Sequence, residues 1–355
     1  MRSPSDKFEK PFIDLLERNA NLNINLRHIV FFIKKDADNT YIFPDSFLYV
    51  IKAFFYATQK LPLFIKEAVR ADMIIIHGLY HIYILFFISC LRMVRKSSWV
   101  IWGGELYNWF LPGKKHFVLY LIEPLKKIII KKLNAIISLV PDDYYFARQA
   151  YNSSAQYHQA FYPNPVKFVF IDKAQSEKNY YNKKTILLGN SASSTNEHFE
   201  VIDFLSSLGI DIPFRVLCPL SYGDKHYASQ VADYGHKKLG DLFEPMYNFL
   251  DPDEYAKILV SVDVAIMNHR RQQAVGTILA LLYAGKKVYI RKNVSTFSWF
   301  SLLGIKIFDT EELLTHSNKN LFDVSNDWRK HNKETIHSYF SEENCIRLWK
   351  NVFKS

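Results

Sequence analysis

Short apolar runs alternate with stretches of helical spacing along the whole chain. In the first half, Arg27 to Ile33, Asp72 to Ile76, Trp99 to Trp102 and Ala135 to Val140 predict strands, being rich in β-branched and aromatic residues. Between them Lys7 to Arg18, Leu61 to Arg70, His81 to Arg95, His116 to Lys132 and Asp142 to Tyr151 return apolar residues every three or four positions, and these predict helices. The second half repeats the alternation. Lys184 to Leu188, Phe214 to Cys218, Val262 to Met267 and Lys287 to Ile290 predict strands. Asn196 to Leu208, Lys225 to Lys238, Asp253 to Val260 and Ala274 to Ala284 predict helices, and Glu342 to Phe353 a last one. Strands alternating with helices point to parallel sheets with helices on their faces, an α/β class.

The alternation breaks once. Phe161 to Pro165 holds two prolines around an asparagine, and Lys173 to Lys184 is polar. The expected organisation is therefore an N-terminal lobe over 1–162, a linker over 163–183 and a second lobe over 184–335. Residues 336–355 are expected to form a C-terminal helix that packs back on the first lobe. A chain of 355 residues suits two domains. Two such lobes predict a cleft between them, with ligands beyond the carboxyl ends of the strands.

Composition narrows the class. Hydrophobic residues make up 49% and charged residues 23%, enough for a sizeable core and too apolar for a disordered chain. Cys90, Cys218 and Cys345 lie far apart without a CxxC, which excludes a disulfide framework and a cysteine zinc site and suits a reducing compartment. The start carries no basic-apolar-small leader. Net charge is +10, and residues 1–165 hold 21 lysines and arginines against 13 aspartates and glutamates. A basic front half attracts phosphate or anionic lipid. With no zinc-finger, homeodomain or RNP-type string, nucleic acid is not expected as a partner. Met73 to Leu91 has the length of a membrane span, but His77, Gly78 and His81 interrupt it, so strand, loop and helix is the expected reading.

Four stretches could carry chemistry. In ILLGNSASSTNEHF an apolar strand ends in Gly189-Asn190-Ser191, and a loop of hydroxyls leads to a helix start. Glycine admits a close backbone approach, and hydroxyls with free N–H groups suit a diphosphate. Thr195 or Asn196 is the expected N-cap, with Glu197 and His198 in the first turn. An ordinary capped strand-to-helix loop would look the same. In NHRRQQAVGT, from Asn268 to Thr277, Arg270 and Arg271 could fork onto phosphate oxygens; a solvated loop is the plain alternative. In IWGGELYNW, Glu105 follows two glycines among aromatic rings. An apolar setting raises a carboxylate's pKa and makes it a usable base, although a helix-start glutamate is as natural there. His77, at another strand end, could face the same cleft or be structural. The fourth stretch, Lys114 to Lys132, carries six lysines and one acid around an apolar body. As a helix it suits an anionic membrane surface, or is a buried helix with a solvated lysine face. No P-loop, GxGxxG, HExxH or GxSxG string occurs, and no DxD-type metal site is expected.

At these motifs the chain resembles the bacterial TDP-N-acetylfucosamine:lipid II N-acetylfucosaminyltransferases, glycosyltransferase family fifty-six. The matching strings are His77-Gly78, IWGGELY from Ile101, ILLGNS with NEH at Asn196 to His198, CPLSYG from Cys218 and RRQQAVGT from Arg270. The resemblance covers most of the chain. It implies a GT-B fold of two Rossmann-like lobes, with the nucleotide-sugar donor on the second. It implies an enzyme at the cytoplasmic face of the bacterial inner membrane; with no acidic pair of ligand spacing beside either loop, a metal-independent reaction is expected. Such an enzyme moves a deoxyamino sugar from a TDP-linked donor to a polyprenyl-diphosphate-linked saccharide in surface-polysaccharide synthesis, for common antigen or O-antigen. By that resemblance Gly189, Asn190, Ser191, Asn196, Glu197, Ser221, Tyr222, Arg270, Arg271, Gln272, Gln273, Gly276 and Thr277 line the donor site. Glu105 is the expected base and His77 its substitute. Lys114, Lys115, Lys126, Lys127, Lys131 and Lys132 face the membrane and acceptor.

The chain departs from the family in two ways. An apolar strand precedes a Ser-Asp loop in the family, whereas only MRSP precedes Ser5-Asp6 here, so the expectation is either a start assigned late or a missing first strand of the first lobe. Glu105 also stands where the family has aspartate. The alternatives are a non-catalytic nucleotide- or lipid-binding protein and a nucleotide-sugar epimerase.

Overall fold

A computed structural model describes residues 6–19, 29–30, 41–42, 49–50, 61–79, 93–112, 117–177, 183–208, 213–315 and 321–355, with Leu85, Ile88 and Ser89 besides. The chain forms two compact units, Met1–Pro163 with Cys345–Ser355, and Asn164–Asn344.

The first unit opens with helix α1 (Asp6–Arg18), followed by β1 (Ile29–Val30), β2 (Tyr41–Ile42) and β3 (Tyr49–Val50). Then come α2 (Leu61–Arg70), β4 (Ile74–His77), β5 (Ser97–Val100), the short α3 (Gly104–Tyr107), α4 (Phe117–Ile130), β6 (Ala135–Ser138), α5 (Pro141–Tyr151) and β7 (Gln156–Gln159). Strands β3-β4-β5-β6-β7 lie side by side in that order, all parallel. Ile74, Ile75 and Ile76 are buried although consecutive residues face opposite ways, because helices cover both faces of a parallel sheet. The expected strand at Trp99 to Trp102 runs two residues earlier. Gly103, at φ 91°, turns the chain straight into α3. β7 escaped the apolar pattern because QYHQ is a polar edge strand. Most of Met73 to Leu91 beyond Leu79, Ser5, Lys114 and Lys115 lie outside the described residues. Among the described residues no helix is long and apolar enough to cross a membrane.

The second unit holds α6 (Phe168–Ser176), β8 (Lys184–Leu188), α7 (His198–Ser207), β9 (Phe214–Pro219), α8 (Lys225–Leu239), β10 (Phe243–Met246), α9 (Pro252–Ser261) and β11 (Val264–Met267). It continues with α10 (Val275–Tyr283), β12 (Lys287–Ile290), α11 (Ser295–Leu302), β13 (Phe308–Asp309), α12 (Thr310–Thr315) and α13 (Asn326–Tyr339). The six strands are parallel in the order β10-β9-β8-β11-β12-β13, so the chain reverses its winding direction between β8 and β11.

Segment 163–183, expected as a linker, carries α6. Its Phe168 ring stacks on Tyr283 at 4.2 Å, and Tyr283 donates a hydrogen bond to Asp172 at 2.8 Å. These contacts are long-range, which is why a polar stretch reads as a linker in the sequence alone. Residues 336–355 are likewise divided: α13 stays with the second unit, and α14 (Glu342–Phe353) supplies Cys345–Ser355 to the first. Trp349, 1% exposed, donates its indole N–H to the Phe161 carbonyl at 2.8 Å, and Cys345 Sγ lies 3.0 Å from the same oxygen.

Candidate functional site

In an open parallel sheet, the loops that leave two adjacent strands in opposite directions open a crevice at their carboxyl ends. In the second unit those strands are β8 and β11. The loop after β8 is Gly189-Asn190-Ser191, and the loop after β11 is Asn268 to Ala274. These are the two stretches singled out in the sequence, and their side chains meet. Gln273 Nε2 donates to Asn190 Oδ1 at 2.8 Å, Asn190 Nδ2 donates to the Tyr222 hydroxyl at 2.7 Å, and Thr195 donates to Gln273 Oε1 at 2.8 Å. One polar lattice thus joins the loops after β8, β9 and β11. Asn196 Nδ2 ties the first loop to itself through the Ser191 carbonyl at 3.0 Å. Arg270 N–H donates to the Thr195 carbonyl at 2.9 Å, and its side chain pairs with Glu197 at 2.9 Å.

Glycine at 189 is required twice over. Its φ is +66°, and a Cβ there would sit 2.7 Å from His198 Nε2 and 3.1 Å from Asn196 Oδ1. The helix starts are also special. The N-cap of α7 is Glu197 and that of α10 is Ala274, both with left-handed backbones, at φ 50° and 58°. The expected caps Thr195 and Asn196 instead lie at a 3-10 turn, Ser194–Asn196. Non-glycine residues held in this region mark a position that the surroundings over-determine.

Electrostatics follow burial. His198 is fully buried, which lowers its pKa to about 4, and His269 is pushed to about 3 by burial and then by the charge of Arg271. Both rings are neutral at pH 7 and bring no charge to the crevice. Tyr222 is 41% exposed as a residue, yet desolvation of its hydroxyl raises the phenol, opposed by bonds from Asn190 and Ser191 and by the charge of Arg271. Arg271 itself donates to the Gln272 carbonyl at 3.1 Å.

Gly276, Thr277 and Ser221 stand apart from the lattice. Gly276 lies against Asn164, whose amide donates to the Gly276 carbonyl at 3.0 Å. Thr277 bonds Tyr255, whose phenol burial pushes up to about 12. Ser221 is half-buried and, among the described residues, adds no bond to the lattice. The sequence reading missed a second tier. Arg291, the first residue after β12, donates to the Asn268 carbonyl at 3.1 Å and pairs with Glu200, which accepts from Asn268 Nδ2 at 2.8 Å. Asn268 and Arg291 are each the first residue beyond a parallel strand, and that position is the signal that could have found them.

In the first unit, His77 and Glu105 join one aromatic cluster. Glu105 is 6% exposed; its Oε1 accepts the Trp99 indole N–H at 3.2 Å and the Trp102 backbone N–H at 2.9 Å. The carboxylate therefore ties the end of β5 to the start of α3, whatever else it does. The Trp102 ring stacks on Tyr162 at 4.9 Å, and Tyr162 hydrogen-bonds His77 Nδ1.

The basic helix differs from the expectation at one lysine. Lys126 is 2% exposed; it pairs with Glu123 at 3.0 Å and donates to the Glu105 carbonyl at 2.7 Å. It belongs to the interior and cannot face a membrane. Lys127, Lys131 and Lys132 are exposed. Among the described residues no three His, Cys, Asp or Glu side chains gather as a metal site would need.

Two units of parallel sheet with helices, one bearing a polar crevice at its winding reversal, define a GT-B glycosyltransferase. The chain aligns with sucrose-phosphate synthase from Thermosynechococcus elongatus at a TM-score of 0.65 and 12% identity, covering 96% of this chain and 91% of that one. HepE of Anabaena in complex with UDP and glucose gives 0.61 at 10% identity, with 87% and 92% covered. A glycosyltransferase from Rickettsia africae gives 0.57 at 12%, with 86% and 89% covered. The sequence model of glycosyl transferase group 56, described as 4-alpha-L-fucosyltransferase, matches residues 29–354, and the chain belongs to that family.

Proposed function

We propose that this glycosyltransferase moves a deoxyamino sugar of the N-acetylfucosamine type from a TDP-linked donor to a polyprenyl-diphosphate-linked saccharide of a bacterial surface polysaccharide. The observation that carries the donor half is the lattice of Asn190, Tyr222 and Gln273, with Arg271 beside it, at the reversal between β8 and β11. Arg271 and the amides at the starts of α7 and α10 meet the charge that develops on the departing diphosphate, so no metal ion is needed. Glu105 accepts the proton of the attacking hydroxyl. HepE, a structural neighbour, is known in complex with UDP-glucose, which supports a nucleotide-sugar donor here.

The acceptor half rests on charge and on α4. Tyr120 and Ile128, 55% and 59% exposed, share one face of this helix with Pro124, Lys127 and Lys131 at steps of three and four residues. Apolar side chains flanked by lysines suit shallow seating on the anionic cytoplasmic leaflet, where a lipid-linked acceptor lies. The test is a panel of TDP- and UDP-sugars assayed for binding and turnover, with and without a polyprenyl-diphosphate saccharide, in magnesium and in EDTA. Transfer only with the lipid acceptor, unaffected by EDTA, is the expected result. Donor isomerised without acceptor would make the protein an epimerase, and binding without turnover a non-catalytic binder.

A further inference from the structure

A buried ion pair in the first unit reaches the backbone of Glu105. Lys126 of α4 is 2% exposed, Glu123 three residues before it 6%, and Tyr151 at the end of α5 2%. An ammonium has three hydrogens to donate and accepts none. Lys126 gives one to Glu123 Oε2 at 3.0 Å, one to the Tyr151 hydroxyl at 3.3 Å and one to the Glu105 carbonyl at 2.7 Å. The Tyr151 hydroxyl in turn donates to Glu123 Oε1. Burial, then that bond and the charges of Glu123 and Glu105, hold the phenol above its ordinary range, so it keeps the hydrogen it donates. The three side chains close a triangle, and the bond that leaves it goes to Glu105. In a helix as short as α3 every carbonyl belongs to the last turn, where a cation is favoured.

Glu105 is thereby gripped at both ends. Its Oε1 accepts from the Trp99 indole and the Trp102 amide, and its backbone carbonyl accepts from Lys126. A buried ion pair is a poor device for stability alone, since apolar side chains of like size often do as well. What an apolar residue cannot supply is the third bond. We propose that Lys126 is a positioning residue for Glu105: held by Glu123 and Tyr151, it fixes the turn that carries the carboxylate, and so the place of the proton acceptor. The consequence for catalysis rests on the base role proposed above; the grip on the turn does not. Lys126 shares α4 with the exposed Lys127 and Lys131, so the helix proposed to seat on the membrane also holds the base.

Loss of Lys126 alone leaves Glu123 buried and unpaired and threatens the fold, so the test replaces the whole triangle in the full-length protein. The variant Glu123→Leu, Lys126→Met, Tyr151→Phe fills the space with apolar side chains and removes the bond to Glu105. It should unfold near the wild-type denaturant midpoint. Donor KM should stay within about threefold while kcat falls by about 10²-fold, the cost of a misplaced reacting group. Wild-type kcat in the folded triple variant would overturn the proposal and leave the triangle a structural ion pair. A second reading needs no turnover. The Trp99 indole N–H donates to Glu105 Oε1, and its nitrogen-15 signal is identified by its loss in Trp99→Phe. In the triple variant this N–H should exchange with deuterium about tenfold faster; unchanged protection would also overturn the proposal. If the triple variant does not fold, Tyr151→Phe, which keeps the ion pair, should move both readings the same way, and no movement in either overturns the proposal. If the wild type transfers no sugar, or Glu105→Gln transfers as fast as wild type, the base role fails while the indole signal still decides the grip.

Discussion

At the scale of single residues, the crevice sets the firmest expectations. Arg271→Ala should weaken binding of a nucleoside diphosphate by about 1.5–3 kcal/mol, the range of a hydrogen bond to a charged group. Calorimetry with TDP and UDP checks this, and unchanged affinity would remove Arg271 from the site. Glu105→Gln should lower turnover by about 10²–10⁴-fold with donor affinity retained. Both candidates stood out in the sequence because an arginine pair and a lone acid beside glycines are uncommon strings. Lys126 was misread for a physical reason: a lysine run looks the same on a solvated face as at a buried pair. Its position facing Glu123 and the Glu105 carbonyl depends on how α4 is rotated against the sheet, which spacing alone leaves open. Lys126→Ala should therefore destabilise the first unit by about 3–5 kcal/mol, because Glu123 would remain buried without its partner. The same substitution at Lys127 should be nearly neutral in a denaturant titration.

At the scale of elements, the central parallel strands were legible because they are buried on both faces and so are continuously apolar. Edge strands were not: β7 and β10, with QYHQ and FEPM, carry no such run. The start of α7 was misplaced by two residues because Glu197 caps it from a left-handed conformation that glutamate seldom adopts. The helix α4 bears its own prediction. Reversing charge at Lys127 and Lys131 should release the protein from anionic vesicles, since each lysine near such a surface contributes about 1 kcal/mol, screened by salt. Binding that persists in high salt and with both charges reversed would show that this face is not the contact.

At the scale of the whole molecule, stability should depend on pH through the second unit. His198, lowered to about 4 by burial, binds a proton in the unfolded chain at a higher pH than in the folded one. Between its ordinary value of about 6.5 and that lowered value the unfolded state holds more protons. Stability is therefore full above the ordinary value and falls as pH drops through the window. His269, lowered to about 3, acts in the same sense. Chemical unfolding from pH 7 to pH 4.5 should show this decline, and His198→Gln, if folded, should flatten it. The return of α14 matters at the same scale. Trp349→Ala should cost the first unit about 3–5 kcal/mol and transfer activity, while nucleotide affinity in the second unit holds.

By itself the sequence determined the α/β class, the two-part organisation and the two loops beyond β8 and β11. These depend on local facts: the period of apolar residues, the glycine at a strand end and the polar string that opens a helix. Only the tertiary structure decided which side chains meet. The bonds of Gln273 with Asn190 and of His77 with Tyr162 join residues 83 and 85 positions apart. Strand order and helix rotation bring such pairs together, and neither leaves a mark in local periodicity. The roles of Lys126, Arg291 and the segment over 163–183 all depend on such contacts, so they became readable only once the chain was folded.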